Sequence, residues 1–137
     1  MPSIQPDLSN HKPYKILIMD DEKYIQTILK KILEKLGYSV ELTANGEDAV
    51  ERYKALMEDK APVDLVLLDL TVPGGMGGKQ ASELILEIDP SAKIVISSGN
   101  THDPLLSDYR ANGLKGILPK PFRLNALKKI IEQILAQ

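Results

Sequence analysis

Residues 63–69 read Val-Asp-Leu-Val-Leu-Leu-Asp, and residues 15–21 read Lys-Ile-Leu-Ile-Met-Asp-Asp. In both stretches an unbroken apolar block stops abruptly at aspartate. A strand with one wet face alternates apolar and polar residues, whereas a solid block of branched side chains belongs to a strand covered on both faces. Working outward, five short apolar runs fall at Tyr14–Met19, Tyr38–Leu42, Val63–Leu68, Lys93–Ser97 and Gly116–Leu118. The segments between them change period. Tyr24, Ile25, Ile28, Leu29, Ile32, Leu33 and Leu36 follow the helical i, i+3, i+4, i+7 spacing, and Gly37 sits where a helix C-cap belongs. Ala49, Val50, Tyr53, Leu56 and Met57 predict a second helix, and Ala81, Leu84, Ile85 and Ile88 a third. A fourth opens at Asp103-Pro104, an N-cap followed by proline at the first helical position, and is expected to run to Gly113. Leu124, Leu127, Ile130, Ile131, Ile134 and Leu135 predict the fifth, with Lys128 and Lys129 turned outward. Strand and helix thus alternate five times, which implies a parallel sheet with helices on both faces.

Composition narrows the function classes. At 137 residues with 43% hydrophobic content the chain suits one domain with a sizeable core. It holds no cysteine, which excludes thiol catalysis and cysteine-based zinc sites and fits a reducing cytoplasm. A net charge of −2 lacks the electrostatic footprint of a nucleic-acid binder. No apolar stretch approaches the ~20 residues of a membrane span, and no signal-peptide core opens the chain. Residues 1–13, with three prolines and no periodicity, read as a flexible lead-in or linker, leaving 14–137 as a single cytoplasmic domain.

In a doubly wound sheet, ligands bind at the carboxyl ends of the strands. The first strand ends in Asp20-Asp21, the third in Asp69, the fourth in Ser97-Ser98, and the fifth in Lys120 within Leu118-Pro119-Lys120-Pro121-Phe122. Taken singly, each has a plain alternative. Asp21 could cap the first helix, Asp69 could cap the segment after it, Ser97 could bond to backbone, and Lys120 could be a surface lysine. Taken together they are harder to dismiss. Three clustered carboxylates repel one another unless a cation offsets them. Oxygen donors suit a hard ion such as Mg²⁺, which takes one or two carboxylates plus phosphate oxygens. The edge then holds a phosphate, or a carboxylate that can be phosphorylated, with the lysine as a further point charge.

These residues give the chain its resemblance to the response-regulator receiver domain of two-component signalling. The matching features are Asp20-Asp21 after Ile-Leu-Ile-Met, Asp69 after Asp-Leu-Val-Leu-Leu, Ser97 after Lys-Ile-Val-Ile, and Lys120-Pro121-Phe122, over about residues 14–136. The resemblance implies a flavodoxin-like (βα)5 fold with strand order 2-1-3-4-5. It implies that Asp69 is the phosphoacceptor and that Asp21 binds Mg²⁺ (or Mn²⁺) directly. Asp20 would hold the ion through water, and the backbone carbonyl of Thr71 would complete the protein ligands. Ser97 and Lys120 would bind phosphoryl oxygens, and the Lys120–Pro121 peptide would be cis. The implied donor is a sensor histidine kinase or a histidine phosphotransfer domain, and the implied role is a signalling switch or relay, not a metabolic enzyme. With no effector domain after the last helix in this sequence, output is expected to pass through a separate protein partner, another histidine phosphotransfer step or a parent chain.

The chain departs from the family pattern in two places. After Asp69 it runs Leu70-Thr71-Val72-Pro73-Gly74-Gly75-Met76-Gly77-Gly78, one glycine longer than usual and without the acidic residue. That variant resembles receivers attached to hybrid sensor histidine kinases, and its glycines predict an unusually pliable loop. Neither nucleotide template fits it. Only three residues separate Gly74 from Gly78-Lys79 where a P-loop needs four, and Gln80 stands where the dinucleotide fingerprint needs glycine. Second, Ile117 stands where the family commonly places an aromatic, which predicts a muted read-out on the face of helix four, strand five and helix five. The two histidines, His11 and His102, are assigned no role.

Two rivals remain on the residues alone. A small phosphatase or phosphotransferase on a similar sheet would need a base or second nucleophile that this sequence does not offer. A pseudo-receiver would have lost an acidic or lysine position, and all are present here.

Overall fold

The structure is a computed structural model and describes residues 13–99 and 102–137. The lead-in expected over 1–13 lies, but for Pro13, outside the described residues. Strands β1 (Lys15–Met19), β2 (Ser39–Thr43), β3 (Leu65–Asp69), β4 (Ile94–Ser98) and β5 (Gly116–Pro119) alternate with five helices. These are α1 (Lys23–Lys35), α2 (Gly46–Glu58), α3 (Gly78–Ile88), α4 (Pro104–Ser107) and α5 (Leu124–Leu135). Every strand pairing is parallel, in the order β2-β1-β3-β4-β5. This is the flavodoxin-like, doubly wound arrangement that the sequence predicts.

Side chains alternate across a strand, so a block such as Leu65–Leu68 must feed two cores. Val66 and Leu68 pack with Tyr53, Leu56 and Ile85 of α2 and α3. Leu65 and Leu67 pack on the other face with Leu29 and Leu33 of α1 and Leu127 and Ile131 of α5. Central strands β3 and β4 are buried throughout. The edge strand β2, Ser-Val-Glu-Leu-Thr, is only half-buried, and its alternating composition reflects that. Gly37 ends α1 as expected. At φ +95° it lets its own N–H reach the Glu34 carbonyl and that of Tyr38 reach Leu33.

The fourth helix is far shorter than its sequence pattern predicts. Asp103 caps it through the Leu105 N–H, and Pro104 opens it, but it ends at Ser107 and not at Gly113. Short polar side chains compete with the helical ladder there. Ser107 Oγ donates to the Pro104 carbonyl, Asp108 leaves helical geometry, and Asn112 Nδ2 donates to the Asp108 carbonyl. Leu105 and Leu106 bury, and the following turns place the half-buried Tyr109 and the buried Leu114 against the same core without a continuous helix. Ile117 is also partly buried against that core.

Candidate functional site

Parallel strands present all their carboxyl ends at one edge, so residues remote in sequence converge there. Asp20 follows β1, Asp69 ends β3, and register sets Ser97 of β4 directly beside Asp69. Lys120 follows β5, its N–H donating to the Ser98 carbonyl. One carboxylate oxygen from each of Asp20, Asp21 and Asp69 falls within 4.8 Å of the other two. Asp20 and Asp69 are buried, whereas Asp21 is exposed.

Lys120 reaches into the cluster from its side. Its Nζ lies 2.9 Å from Asp20 Oδ2 and 3.2 Å from Asp69 Oδ2. The other oxygen of Asp20 accepts the Glu22 N–H at 2.9 Å, and Asp69 Oδ1 receives a long contact of 3.4 Å from the Thr71 N–H. Burial pushes the Asp69 carboxyl above the ordinary carboxylate range. The Lys120 ammonium opposes this through its charge and hydrogen bond, and the Asp20 charge adds to it. Burial pulls Lys120 down, but the hydrogen bond it donates to Asp20 and the charges of both aspartates outweigh it and hold the ammonium above its usual pKa. One ammonium thus faces three carboxylates. An all-oxygen donor set with uncompensated negative charge fits a hard divalent ion and offers no nitrogen or sulfur to a softer one.

Ser97 has a further distinction. Its Oγ is buried with no hydrogen-bond partner among the described residues. A buried hydroxyl without a protein partner costs free energy, which sets Ser97 apart from the other buried polar groups of the edge.

The glycine-rich loop is tied to α2 at one residue. Met76 is clipped to the start of α2, its carbonyl accepting the Gly46 N–H at 2.8 Å and its N–H donating to Glu47 Oε1 at 2.9 Å. Gly78 serves close approach and not mobility, because a Cβ there would lie 2.7 Å from the Asp69 carbonyl oxygen. Gly74 alone in this loop needs the left-handed region, at φ +74°. One bond to the backbone and one to the Glu47 side chain thus anchor Met76, in the middle of the loop, to the start of α2.

The structure brings together Asp20, Asp21, Asp69, Ser97 and Lys120, with Thr71 two residues beyond Asp69, and the Lys120–Pro121 bond is cis. The sequence reading missed Glu47 and Gln26. Glu47 shows no local signal, since its role arises across 29 positions of chain. Gln26 does have one: it lies on the stripe of Leu29 and Leu33, a polar residue on a buried face. Beside the site, an apolar groove of about 430 Å³ runs between α1 and the start of α5, lined by Ile25, Ile28, Ile32, Phe122 and Leu124 and reaching Lys120.

Known proteins resemble this chain in sequence and fold. The response regulator receiver domain matches residues 16–132. The chain is 39% identical over 126 residues to the chemotaxis protein CheY of Treponema pallidum, spanning 91% of this chain and 83% of that protein. A match to the sensor kinase/phosphatase LuxN of Vibrio harveyi, 35% identical, spans 95% of this chain and 14% of that protein. Among solved structures, a chain of the CheX-CheY-BeF3-Mg²⁺ complex from Borrelia burgdorferi superposes with a TM-score of 0.84 at 26% identity, covering 96% of each chain. Among the described residues no helix is long and apolar enough to cross a membrane. With the family matched over nearly all of the folded chain and the acidic pocket, hydroxyl and lysine in place at one sheet edge, the chain belongs to the response regulator receiver family of two-component signalling.

Proposed function

We propose that Asp69 accepts a phosphoryl group from a phosphohistidine, with Asp20, Asp21, Asp69 itself and the Thr71 carbonyl holding Mg²⁺. The observation that carries this reading is the buried, unpartnered Ser97 Oγ set beside Asp69 by strand register. A phosphoryl oxygen on Asp69 is the acceptor that this hydroxyl lacks. Bound Mg²⁺ supplies charge neutralisation to the transferring group. An Asp69 oxygen forms the new P–O bond while the P–N bond breaks, and the imidazole nitrogen leaves with the electron pair. Lys120, already 3.2 Å from Asp69, offsets charge on the phosphoryl oxygens. Burial keeps the Asp69 carboxylate weakly solvated and more basic, which favours its attack. Water then attacks phosphorus, releasing phosphate and restoring Asp69, or the group passes on to another histidine.

The donor is a histidine kinase or histidine phosphotransfer domain that seats a histidine-bearing helix in the groove beside Lys120. Charge supports that partner: α1 exposes Lys23, Lys30, Lys31 and Lys35 against Glu34 alone, which suits an apolar ridge with an acidic rim. The deciding test is mass spectrometry after incubation with acetyl phosphate. Wild type with Mg²⁺ gains one phosphoryl group, while the chelated protein and Asp69→Asn gain none. Labelling of Asp69→Asn at the wild-type rate would overturn the assignment.

A further inference from the structure

We infer that Gln26 is a positioning residue for the metal, its side-chain amide fixing the Asp20–Asp21 peptide at the mouth of the acidic pocket. The inference rests on the reading that this pocket takes Mg²⁺. Gln26 Nε2 donates to the Asp20 carbonyl at 2.6 Å and to the Thr43 carbonyl at 3.2 Å. Both partners are acceptors only, so the nitrogen and not the oxygen of the amide must face them. The Thr43 carbonyl also accepts the Asp20 N–H at 3.1 Å. Gln26 therefore closes a ring joining the end of β1, the end of β2 and the first turn of α1.

The consequence is that Asp20 is held at four points: its N–H, its carbonyl and each carboxylate oxygen. Of the groups that hold it, Gln26 is the uncharged side chain, and it lies outside the acidic cluster. Its own position is secured by Leu29 and Leu33, the buried residues of α1 on the same stripe. Asp21 is exposed, and the peptide that carries it into the cluster is the one whose carbonyl Gln26 holds, so restraint of that peptide fixes where the Asp21 side chain starts. A dication must draw three mutually repelling carboxylates together. If the peptide between two of them is loose, binding must also order it, and affinity falls.

Two variants separate this role from ordinary stabilisation. Gln26→Leu keeps the bulk and removes both donors; Gln26→Asn keeps the amide but withdraws it by one methylene. Calorimetric Mg²⁺ titration should show a Kd raised roughly tenfold for Gln26→Leu, with Gln26→Asn between it and wild type. The rate of labelling by acetyl phosphate at saturating Mg²⁺ should stay within about twofold of wild type, because the reacting groups are intact. Leu56→Ala, in the core on the opposite face of the sheet from α1, serves as the control: it lowers the melting temperature in chelator yet leaves the Mg²⁺ Kd unchanged. An unchanged Kd in both Gln26 variants, with only a lower melting temperature, would overturn the inference. Failure of wild type itself to bind Mg²⁺ would instead overturn the reading beneath it.

Discussion

Ser97 and Asp69 sit side by side, and each departs from what stability alone would favour. A buried hydroxyl without a partner contributes nothing to the fold, so Ser97→Ala should leave unfolding free energy within about 0.5 kcal/mol of wild type, or raise it. The same change should weaken binding of a beryllofluoride phosphate mimic roughly tenfold, because a charge-assisted hydrogen bond is lost. Fluorine NMR titration of both proteins checks it; equal affinities would remove Ser97 from the site. Asp69 behaves similarly through its charge. Its folded pKa lies above the ordinary 3.8, so the native state binds the proton more tightly than the unfolded chain. Ionisation therefore subtracts stability as pH rises from the unfolded value through the folded one, and the loss is constant above that. Asp69→Asn removes the loss. In chelator its stability advantage over wild type should open above the ordinary carboxylate pKa and level off towards neutrality. Denaturant unfolding at several pH values measures this directly, and an advantage that shrinks as pH rises would contradict the sign.

At the scale of elements, the glycine-rich loop and α1 carry distinct expectations. Gly78 presses against the Asp69 carbonyl, whereas a Cβ at Gly75 would meet nothing closer than 3.7 Å. Gly78→Ala should therefore cost about 2 kcal/mol and slow phosphorylation by displacing the β3 end, while Gly75→Ala should stay within about 0.5 kcal/mol. Thermal melts and labelling rates of the pair compare the two positions, and equal costs would mean that loop entropy and not close approach governs the segment. The α1–α5 groove gives the other test. Ile28→Glu should leave labelling by acetyl phosphate unchanged but reduce transfer from a phosphorylated histidine phosphotransfer domain by tenfold or more, since it buries a charge under the donor helix. Equal transfer to both proteins would place the donor elsewhere. The shortness of α4 belongs to this scale too. Asp103-Pro104 announces a helix start, and the run to Gly113 has a permissible pattern, but the Ser107 and Asn112 side chains take the carbonyls of Pro104 and Asp108 that the ladder needed.

For the molecule as a whole, three carboxylates share one sheet edge with a single nearby lysine. Mg²⁺ should raise unfolding free energy by about 2.7 kcal/mol at a hundredfold excess over its Kd, as binding to the native state alone requires. Asp21→Ala should lose most of that gain with little change in chelator, because the Asp21 carboxylate is exposed in the unbound fold. Melting curves with and without Mg²⁺ decide it, and an equal shift in both proteins would remove Asp21 from the metal site. The parallel sheet, the five alternations and the aspartates, serine and lysine at strand ends were all legible in the sequence. Period and burial are local consequences of residue type: solid apolar blocks demand cover on two faces, and strand direction then sends every carboxyl end to one edge. What only the tertiary structure decided are relations between distant chain segments. The Lys120 bridge joins positions 100 and 51 residues apart, the Met76 clip spans 29, and Gln26 reaches 17 residues to Thr43. Hydrogen bonds of that kind depend on where helices settle against the sheet, which no local pattern specifies. For the same reason the anchoring of Met76 to α2 has no local signal, and the buried Ser97 hydroxyl could be recognised as unpartnered among the described residues only once its neighbours were in place.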